Sequence, residues 1–307
     1  MKGEDINGRR FFFNISLILL LFLIAIYFFI PLGGDKYDNS PINYNFSLNS
    51  SEDSTLQFYP NMRFSTNQIS YRIYQCPLQK ENQMKEAFNI LEDKTVLEFY
   101  PFEYDEDILI TCSDEIQIEN GLFLAGEGGP TNITVAGTFN VISKGKILLI
   151  EESRCEEPSV ALHELLHVLG FDHSPNPNNI MYEINYCDQE ISNDILDYLN
   201  KIYSIPSNPD LTFEGISVIP RGRYLEINVT IRNNGLKDSK LSNLIIFADG
   251  NKIKEVEILP LDIGYGRKTS FLAWAPQISI KEVEFVIDND FPEIDKLNNK
   301  VLLNLKK

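Results

Sequence analysis

All three histidines of this 307-residue chain lie within eleven positions, in the segment HELLHVLGFDH at residues 163–173. His163 and His167 are four residues apart, so on a helix they lie one turn apart on the same face. Both imidazoles can then bind one metal ion at about 2.0–2.1 Å, the zinc–nitrogen distance. Glu164 would lie about 100° further round that helix. From there its carboxylate can accept a proton from a metal-bound water instead of binding the ion.

A third histidine follows directly after the predicted helix. Gly170 can end the helix, because glycine readily adopts the left-handed conformation that is common just past a helix end. The chain would then reverse and bring His173 to the ion from a third direction. Three nitrogens leave one tetrahedral position open for water, which is typical of catalytic zinc sites, whereas structural sites are closed by a fourth protein ligand. We therefore expect His163, His167 and His173 to bind Zn²⁺ and Glu164 to be the catalytic base.

The predicted helix is apolar on nearly every side between residues 161 and 169, which indicates that it is buried. Buried imidazoles and a buried carboxylate without partners would each cost several kcal/mol as charges. The alternative is a chance match by ordinary core histidines. The third histidine and the glycine at fixed spacing make that alternative weaker, and a bound metal removes the cost.

The elements that must position these residues follow from periodicity and turn signals. Apolar residues at positions 84, 87, 88 and 91 have the spacing of an amphipathic helix, and Pro158 is typical of a first helical position. Alternating segments that are rich in β-branched residues predict strands. The predicted strands are at 69–76, 107–113, 121–130 and 144–153, with a glycine-rich bend between the last two, and the predicted helices are at 81–96, from 158, and at 187–204.

A second domain is predicted after residues 205–211, which contain two prolines and are typical of a linker. Residues 212–307 contain several short alternating segments, including a hairpin signal at Asp249-Gly250. Their number and the domain size predict an immunoglobulin-like β-sandwich. This region has no His or Cys, and we expect no catalysis there.

The N-terminal residues predict where the protein resides. Residues 11–30 are twenty residues with two polar interruptions, preceded by Arg9 and Arg10. A helix of this length spans roughly 30 Å, the thickness of a bilayer core. The positive-inside rule then leaves residues 1–10 in the cytoplasm and the rest of the chain outside, in a single-pass membrane protein. A cleaved signal peptide is the alternative. Residues 31–65 are polar and predict a stalk, which leaves 66–204 as the domain with the histidines.

The cysteines agree with an extracytoplasmic location, and the net charge argues against one class of partner. The four cysteines form no CxxC pair, so disulfides are favoured over a structural zinc ribbon. Of the three connectivities we expect Cys76–Cys112 and Cys155–Cys187, with free buried thiols as the alternative. The net charge of −17 argues against a nucleic-acid partner, because binding to phosphates needs a basic surface.

HELLHVLGFDH resembles the metzincin zinc signature HExxHxxGxxH. The continuation HSPNPNNIMY (173–182) looks most like matrixins, with Met181 as the methionine of their Met-turn below the three imidazoles. Residues 87–113 are similar to the first helix and second strand of matrixin catalytic domains. The resemblance implies an α+β metzincin-like fold with a mixed twisted sheet. It also implies that residues 122–129 are the edge strand that aligns an extended peptide.

The chain departs from the matrixin pattern in three ways. No histidines remain for a second, structural zinc, and residues 31–75 contain no cysteine that could inhibit the enzyme. Glu183 stands where matrixins usually have proline, which affects the wall of the specificity pocket.

The segments INVTIRNNG (227–235) and DKLNN (295–299) of the C-terminal region look like those of the cell-adhesion-related (CARDB-like) domains of prokaryotic surface proteins. Beside an enzyme, we expect such a domain to be a spacer or a substrate tether, and a surface ligand is a further partner that it could bind.

Together these features predict a membrane-anchored, extracytoplasmic zinc endopeptidase that hydrolyses peptide bonds of a peptide or protein substrate. Two alternatives remain at this point. One is a non-enzymatic surface adhesion or receptor protein with a structural zinc, and the other is hydrolysis of a small amide.

Overall fold

The structure is a computed structural model of the chain, and it describes residues 56–115, 118–119, 122–123, 125–150, 158–221, 223–274 and 280–305. The predicted membrane segment 11–30, the preceding residues 1–10 and the stalk up to residue 55 lie outside the described residues. Among the helices that are described, none combines the length and the hydropathy needed to cross a bilayer. The membrane anchor therefore stays a prediction.

The N-terminal domain is a mixed sheet with three helices. Its strands are β1 (Met62–Phe64), β2 (Gln68–Tyr74), β3 (Glu98–Pro101), β4 (Ile108–Cys112), β5 (Ile118–Glu119), β6 (Leu122–Phe123), β7 (Gly126–Ala136) and β8 (Phe139–Leu149). Its helices are α1 (Leu78–Lys94), α2 (Ser159–Val168) and α3 (Asn193–Tyr203). The α+β class predicted for this domain fits.

Six of these strands form one sheet. β3, β2, β4 and β8 are parallel neighbours in that order, and β1 pairs in parallel with the first residues of β8. β7 runs antiparallel to β8 along almost its whole length. In the part of the chain that the structure describes, β7 pairs with no other strand of this sheet, so it is an edge strand.

The core of the domain lies between the sheet and the helices. The predicted apolar face of α1 is buried and includes Met84, Phe88 and Leu91. All ten residues of α2 are buried, as the all-round apolar sequence predicts. Because α2 contacts α1, β7 and β8, the histidines sit on a helix that the core holds on several sides.

Several element boundaries differ from the sequence-based expectation. The predicted strand 121–130 is divided between β6 and β7, and β7 continues to Ala136, where a turn at Gly137 (φ +58°) leads into β8. A bend does join the two strands, as predicted, but it is a tight turn with a single glycine. The first two glycines of the GEGG run at 126–129 allow close contact with α2, as described below, and form no turn. The predicted helix 187–204 begins only at Asn193.

Three strands lie where none was predicted, and one of them is the two-residue β5. β3 has only four residues, too few to show an alternating pattern. β1 lies in the segment predicted as stalk, and its three residues are fully buried, so the end of that segment belongs to the sheet.

The C-terminal domain is a β-sandwich, as predicted. Its strands are β9 (Leu211–Arg221), β10 (Tyr224–Asn233), β11 (Ser242–Ala248), β12 (Asn251–Ile258), β13 (Gly266–Trp274), β14 (Glu282–Asp288) and β15 (Lys300–Asn304). The sheets β13-β10-β9 and β12-β11-β14-β15 enclose a core that includes Phe213 and Phe285. Asp249 and Gly250 have positive φ, as their hairpin signal predicts.

A small apolar cluster joins the two domains. It combines Ala136, Phe139 and Val141 of the β7–β8 hairpin with Ile205 and Leu236. At the tip of the hairpin, a Cβ on Gly137 would lie 2.9 Å from the Cβ of Asn234. The far end of the edge strand is therefore packed against the sandwich.

The predicted disulfide Cys76–Cys112 is confirmed, with a sequence separation of 36 residues. It connects the residues at the ends of two adjacent parallel strands, β2 and β4. Cys187 is also disulfide-bonded. Cys155 lies outside the described residues, so the second predicted pairing stays a prediction.

Candidate metal centre

Helix α2 places His163 and His167 side by side. Their ring centroids are 4.5 Å apart, and the residues are 8% and 7% exposed. His163 Nδ1 donates to the carbonyl of Ile180 at 2.6 Å, and His167 Nδ1 donates to the carbonyl of Phe171 at 2.8 Å. Since a carbonyl can only accept, the proton is on Nδ1 in each ring, and Nε2 is the atom free to bind a metal.

Gly170 turns the chain towards the third histidine. The helix ends at Val168, and Gly170 has a φ of +96°, the left-handed conformation predicted for this position. A Cβ at Gly170 would also lie 2.6 Å from the Cβ of Met62. After this bend, the exposed side chain of His173 places its Nε2 3.2 Å from His167 Nε2.

The three imidazoles fit a zinc ion. One ring nitrogen from each of His163, His167 and His173 lies within 4.8 Å of the other two. Two nitrogens on a tetrahedral zinc at about 2.05 Å would be about 3.3 Å apart, close to the observed 3.2 Å between His167 and His173. Within the described residues no Cys, Asp or Glu joins this group. The geometry therefore offers three ligands and leaves room for a fourth, non-protein one.

The protonation of the rings also suits a metal. Burial is the main cause that lowers the pKa of His163, and burial together with the neighbouring His163 lowers the pKa of His167 to about 4. Both rings are then neutral at physiological pH, and neutral imidazole is the form that binds zinc.

Glu164 is buried beside the imidazoles and faces β7. It is 6% exposed, and the backbone N–H of Gly128 donates to its carboxylate. Burial, with a smaller contribution from the charge of Glu127, raises the pKa of Glu164 to about 8, while the Gly128 hydrogen bond acts in the opposite direction. A carboxyl group tuned to the neutral range in a buried site is typical of proton transfer.

Glycines in β7 make this contact possible. A Cβ on Gly126 would lie 2.8 Å from Glu164 Cγ, and a Cβ on Gly128 would lie 2.4 Å from the Glu164 carbonyl oxygen. A Cβ on Gly129 would meet nothing within 4 Å. The first two glycines therefore allow the edge strand to lie directly against the backbone and side chain of Glu164.

Met181 is fully buried in the domain core, at the position predicted for the Met-turn. It follows Ile180, whose carbonyl holds His163. The N–H of Tyr182 donates to the carbonyl of Asn179 at 2.9 Å, which closes a turn around Met181. This turn orients His163, the first of the three predicted ligands. Glu183, where matrixins usually have proline, is exposed.

One part of the site was not predicted from the sequence, namely the segment Leu56–Phe58, which we call the strap. Phe58 N–H donates to the Gly170 carbonyl, and Asp172 N–H donates to the Leu56 carbonyl, at 3.0 and 2.9 Å. The ring of Phe58 stacks on His167 with centroids 5.7 Å apart. The strap thus supports the bend between the second and third imidazoles.

Gln57 anchors the strap in the core. Its Nε2 donates to the Met62 carbonyl, and its Oε1 accepts from Met62 N–H, both at 2.8 Å. Its Oε1 also accepts from the Tyr198 hydroxyl at 3.0 Å. The sequence signal was the apolar group Leu56, Phe58 and Tyr59, which follows the polar run 49–55.

The structure therefore brings His163, His167 and His173 together, with Glu164 on the next position of the helix. The predicted edge strand is present in part, because β7 begins at Gly126 while Leu122–Phe123 pairs with β5. The roles of these residues as ligands and base stay predictions.

Comparisons with known proteins agree with this geometry. Residues 63–204 match the family model for matrixin, and residues 208–302 match the model for CARDB. Among curated proteins none matches the chain.

Two solved structures of the CARDB domain of the PF1109 protein from Pyrococcus furiosus are similar to part of the chain, at 18% identity and a TM-score of 0.29. Each covers 32% of this chain. The crystal structure, in complex with di-metal ions, is covered over 87% of its own length and the solution structure over 94%.

Proposed function

Because the chain consists of a matrixin-like domain of the zinc metalloprotease family followed by a CARDB domain, we propose that it is a membrane-anchored zinc endopeptidase acting outside the cell. The observation that carries this proposal is the convergence of three imidazoles beside a buried carboxylate with a raised pKa. The apolar segment 11–30 supports the anchor, since its length suits one membrane span.

His163, His167 and His173 would hold the ion. Bound zinc supplies a Lewis acid that lowers the pKa of a water and stabilises a developing oxyanion. Carbonyl acceptors at Ile180 and Phe171 keep the first two rings in the binding tautomer and orientation.

Glu164 would accept a proton from the attacking water and deliver it to the leaving amine. Its burial excludes bulk water, and the Gly128 N–H fixes its carboxylate. With a pKa near 8 before any metal is bound, the carboxyl can hold the proton between these two steps. A positive charge at the three imidazoles would favour its ionised form before the attack.

The edge strand β7 supports a peptide substrate rather than a small amide. Its backbone has no second strand neighbour in the described chain, and its residues 126 and 128 lie against Glu164. An extended peptide could pair with this edge by backbone hydrogen bonds. Its scissile bond would then lie near the carboxylate. This favours flexible or unfolded segments of proteins as substrates.

The test is Glu164→Gln, with Glu86→Gln, an exposed site on α1, as the matched control. Glu164→Gln should keep one zinc per chain and the native melting temperature. Its kcat/KM for peptide hydrolysis should fall by about 10²–10⁴-fold, the contribution of a positioned base, while Glu86→Gln stays native. Full activity of Glu164→Gln would refute the base. If the native chain binds zinc but cleaves no peptide in an unbiased library, a non-enzymatic adhesion protein is the better account.

A further inference from the structure

A cluster of oxygen-bearing side chains in the sandwich has no function in the proposed protease. It lies in the loop between β14 and β15, with the residue just before β9. It consists of Asp210, Asn289, Glu293, Asp295, Asn298 and Asn299, and we name it the junction cluster. The Ile294 N–H donates to the Pro209 carbonyl at 2.9 Å and joins the loop to the chain that enters β9.

Three amide oxygens of the junction cluster are buried without a partner. In the described chain, Oδ1 of Asn289, Asn298 and Asn299 accepts no hydrogen bond, and Asn299 is only 6% exposed. Buried carbonyl oxygens normally have a partner, since each one left without costs free energy. We therefore expect a partner from outside the chain to contact these three oxygens.

The amide groups are oriented by carboxylates. Nδ2 of Asn289 and Nδ2 of Asn299 both donate to Glu293 Oε1 at 2.6 Å. Nδ2 of Asn298 donates to Asp210 Oδ1 at 2.8 Å. These bonds fix which end of each amide is its nitrogen and leave the oxygen end available.

The negative charge of the cluster is not compensated. Among the described residues no lysine or arginine forms an ion pair with Asp210, Glu293 or Asp295. Lys296, in the same loop, instead reaches the Asn289 carbonyl at 3.5 Å. Burial and the charges of Glu293 and Asp295 raise the pKa of Asp210 to about 6. A cation would relieve this repulsion.

We propose that the junction cluster binds Ca²⁺ through the amide oxygens of Asn289, Asn298 and Asn299 and the carboxylate of Asp210. Carboxylate and amide oxygens are the ligands that calcium prefers, and zinc is better served by nitrogen or sulfur. The carboxylates alone do not converge as the three imidazoles do, so the amides are needed. Glu293 orients two of the amides. The proposal does not depend on protease activity.

The experiment is a calorimetric Ca²⁺ titration of the full chain, loaded with zinc and freed of calcium, followed by thermal unfolding. We expect one saturable site with a Kd of roughly 10⁻⁴–10⁻³ M, typical of extracellular modules, and a higher melting temperature with calcium. Asp210→Asn and Asn298→Ala should weaken binding about tenfold or more. Asp262→Asn, the same change at an exposed site of the sandwich, should bind as the native chain does.

Asp210→Asn also controls for misfolding. Because it removes a buried charge, this variant should be at least as stable as the native chain without calcium, yet its melting temperature should rise less with calcium. Absence of saturable binding up to about 10 mM, well above the expected Kd, would mean that water meets the orphan oxygens and would overturn the proposal. Equal binding by Asp210→Asn and Asp262→Asn would show an adventitious ion only.

Discussion

Replacing Gly128 by alanine should separate the edge strand β7 from the residue that we propose as the base. The new Cβ would lie 2.4 Å from the Glu164 carbonyl oxygen and 2.9 Å from its Cα, and both are backbone atoms that no side-chain rotation can move. Since tight carbon contacts begin near 3.4 Å, the strand or the helix must shift by about 1 Å. A displacement of this size costs about 10²-fold in rate when it affects a catalytic geometry. Overpacking of this kind destabilises by about 1–3 kcal/mol.

The neighbouring residue offers a matched control. Gly129→Ala makes the same chemical change one position along the strand, where the Cβ meets nothing within 4 Å. We expect Gly128→Ala to bind zinc but to hydrolyse a peptide about 10²-fold more slowly, as for a 1 Å displacement. We expect Gly129→Ala to retain native kcat and stability. Steady-state kinetics, zinc stoichiometry and denaturant unfolding measure the three quantities. Equal kcat and stability in the two variants would refute the close contact of β7 with Glu164.

Three further predictions concern the parts that support the site and the fold. Phe58→Ala should weaken zinc binding by about tenfold, as loss of a supporting contact does, because it removes the ring stacked on His167; a competitive zinc titration that shows native affinity would contradict the strap. Cys76→Ser should lower the free energy of unfolding by about 3–4 kcal/mol, the loop-closure effect of a disulfide over 36 residues. Denaturation of the oxidised native chain and of the variant, both loaded with zinc, tests this, and equal midpoints would contradict it. Without calcium, lowering the pH from 7 to 4.5 should stabilise the sandwich by up to about 2 kcal/mol through Asp210. Its pKa is raised from 3.8 to about 6, so the folded state takes up the proton first. Unfolding curves of Asp210→Asn should lack this part of the pH dependence, and an unchanged dependence would contradict it.

The convergence of the three histidines was predictable because its geometry is local. His163 and His167 share a helical turn, and Gly170 and His173 follow within six residues, so spacing alone determines which side chains meet. The all-round apolar helix followed from composition, and the presence of disulfides followed from the number of cysteines. The Cys76–Cys112 pairing was one choice of three connectivities. The sandwich followed from alternation and from a hairpin signal that needs two residues with positive φ.

The parts that were missed depend on contacts between distant segments. Gln57 and Phe58 meet Gly170 and His167 across more than 100 positions of the chain, and nothing in their local sequence indicates that contact. The GEGG run at 126–129 was predicted to lie in a strand, but the reason for its glycines is visible only in the fold. Gly126 lies against the side chain of Glu164 and Gly128 against its backbone, and a Cβ at either position would clash. The sequence also does not indicate that three amide oxygens of the junction cluster are buried without a hydrogen-bond partner.

X-ray absorption at the zinc edge of the full chain tests whether three imidazoles bind the ion, because it reports the number, type and distance of the ligands. We predict three imidazole nitrogens at about 2.0–2.1 Å and one additional oxygen ligand. This signal should be lost in His167→Ala. A sulfur ligand, four imidazole or carboxylate ligands from the protein, or an unchanged spectrum in His167→Ala would contradict it.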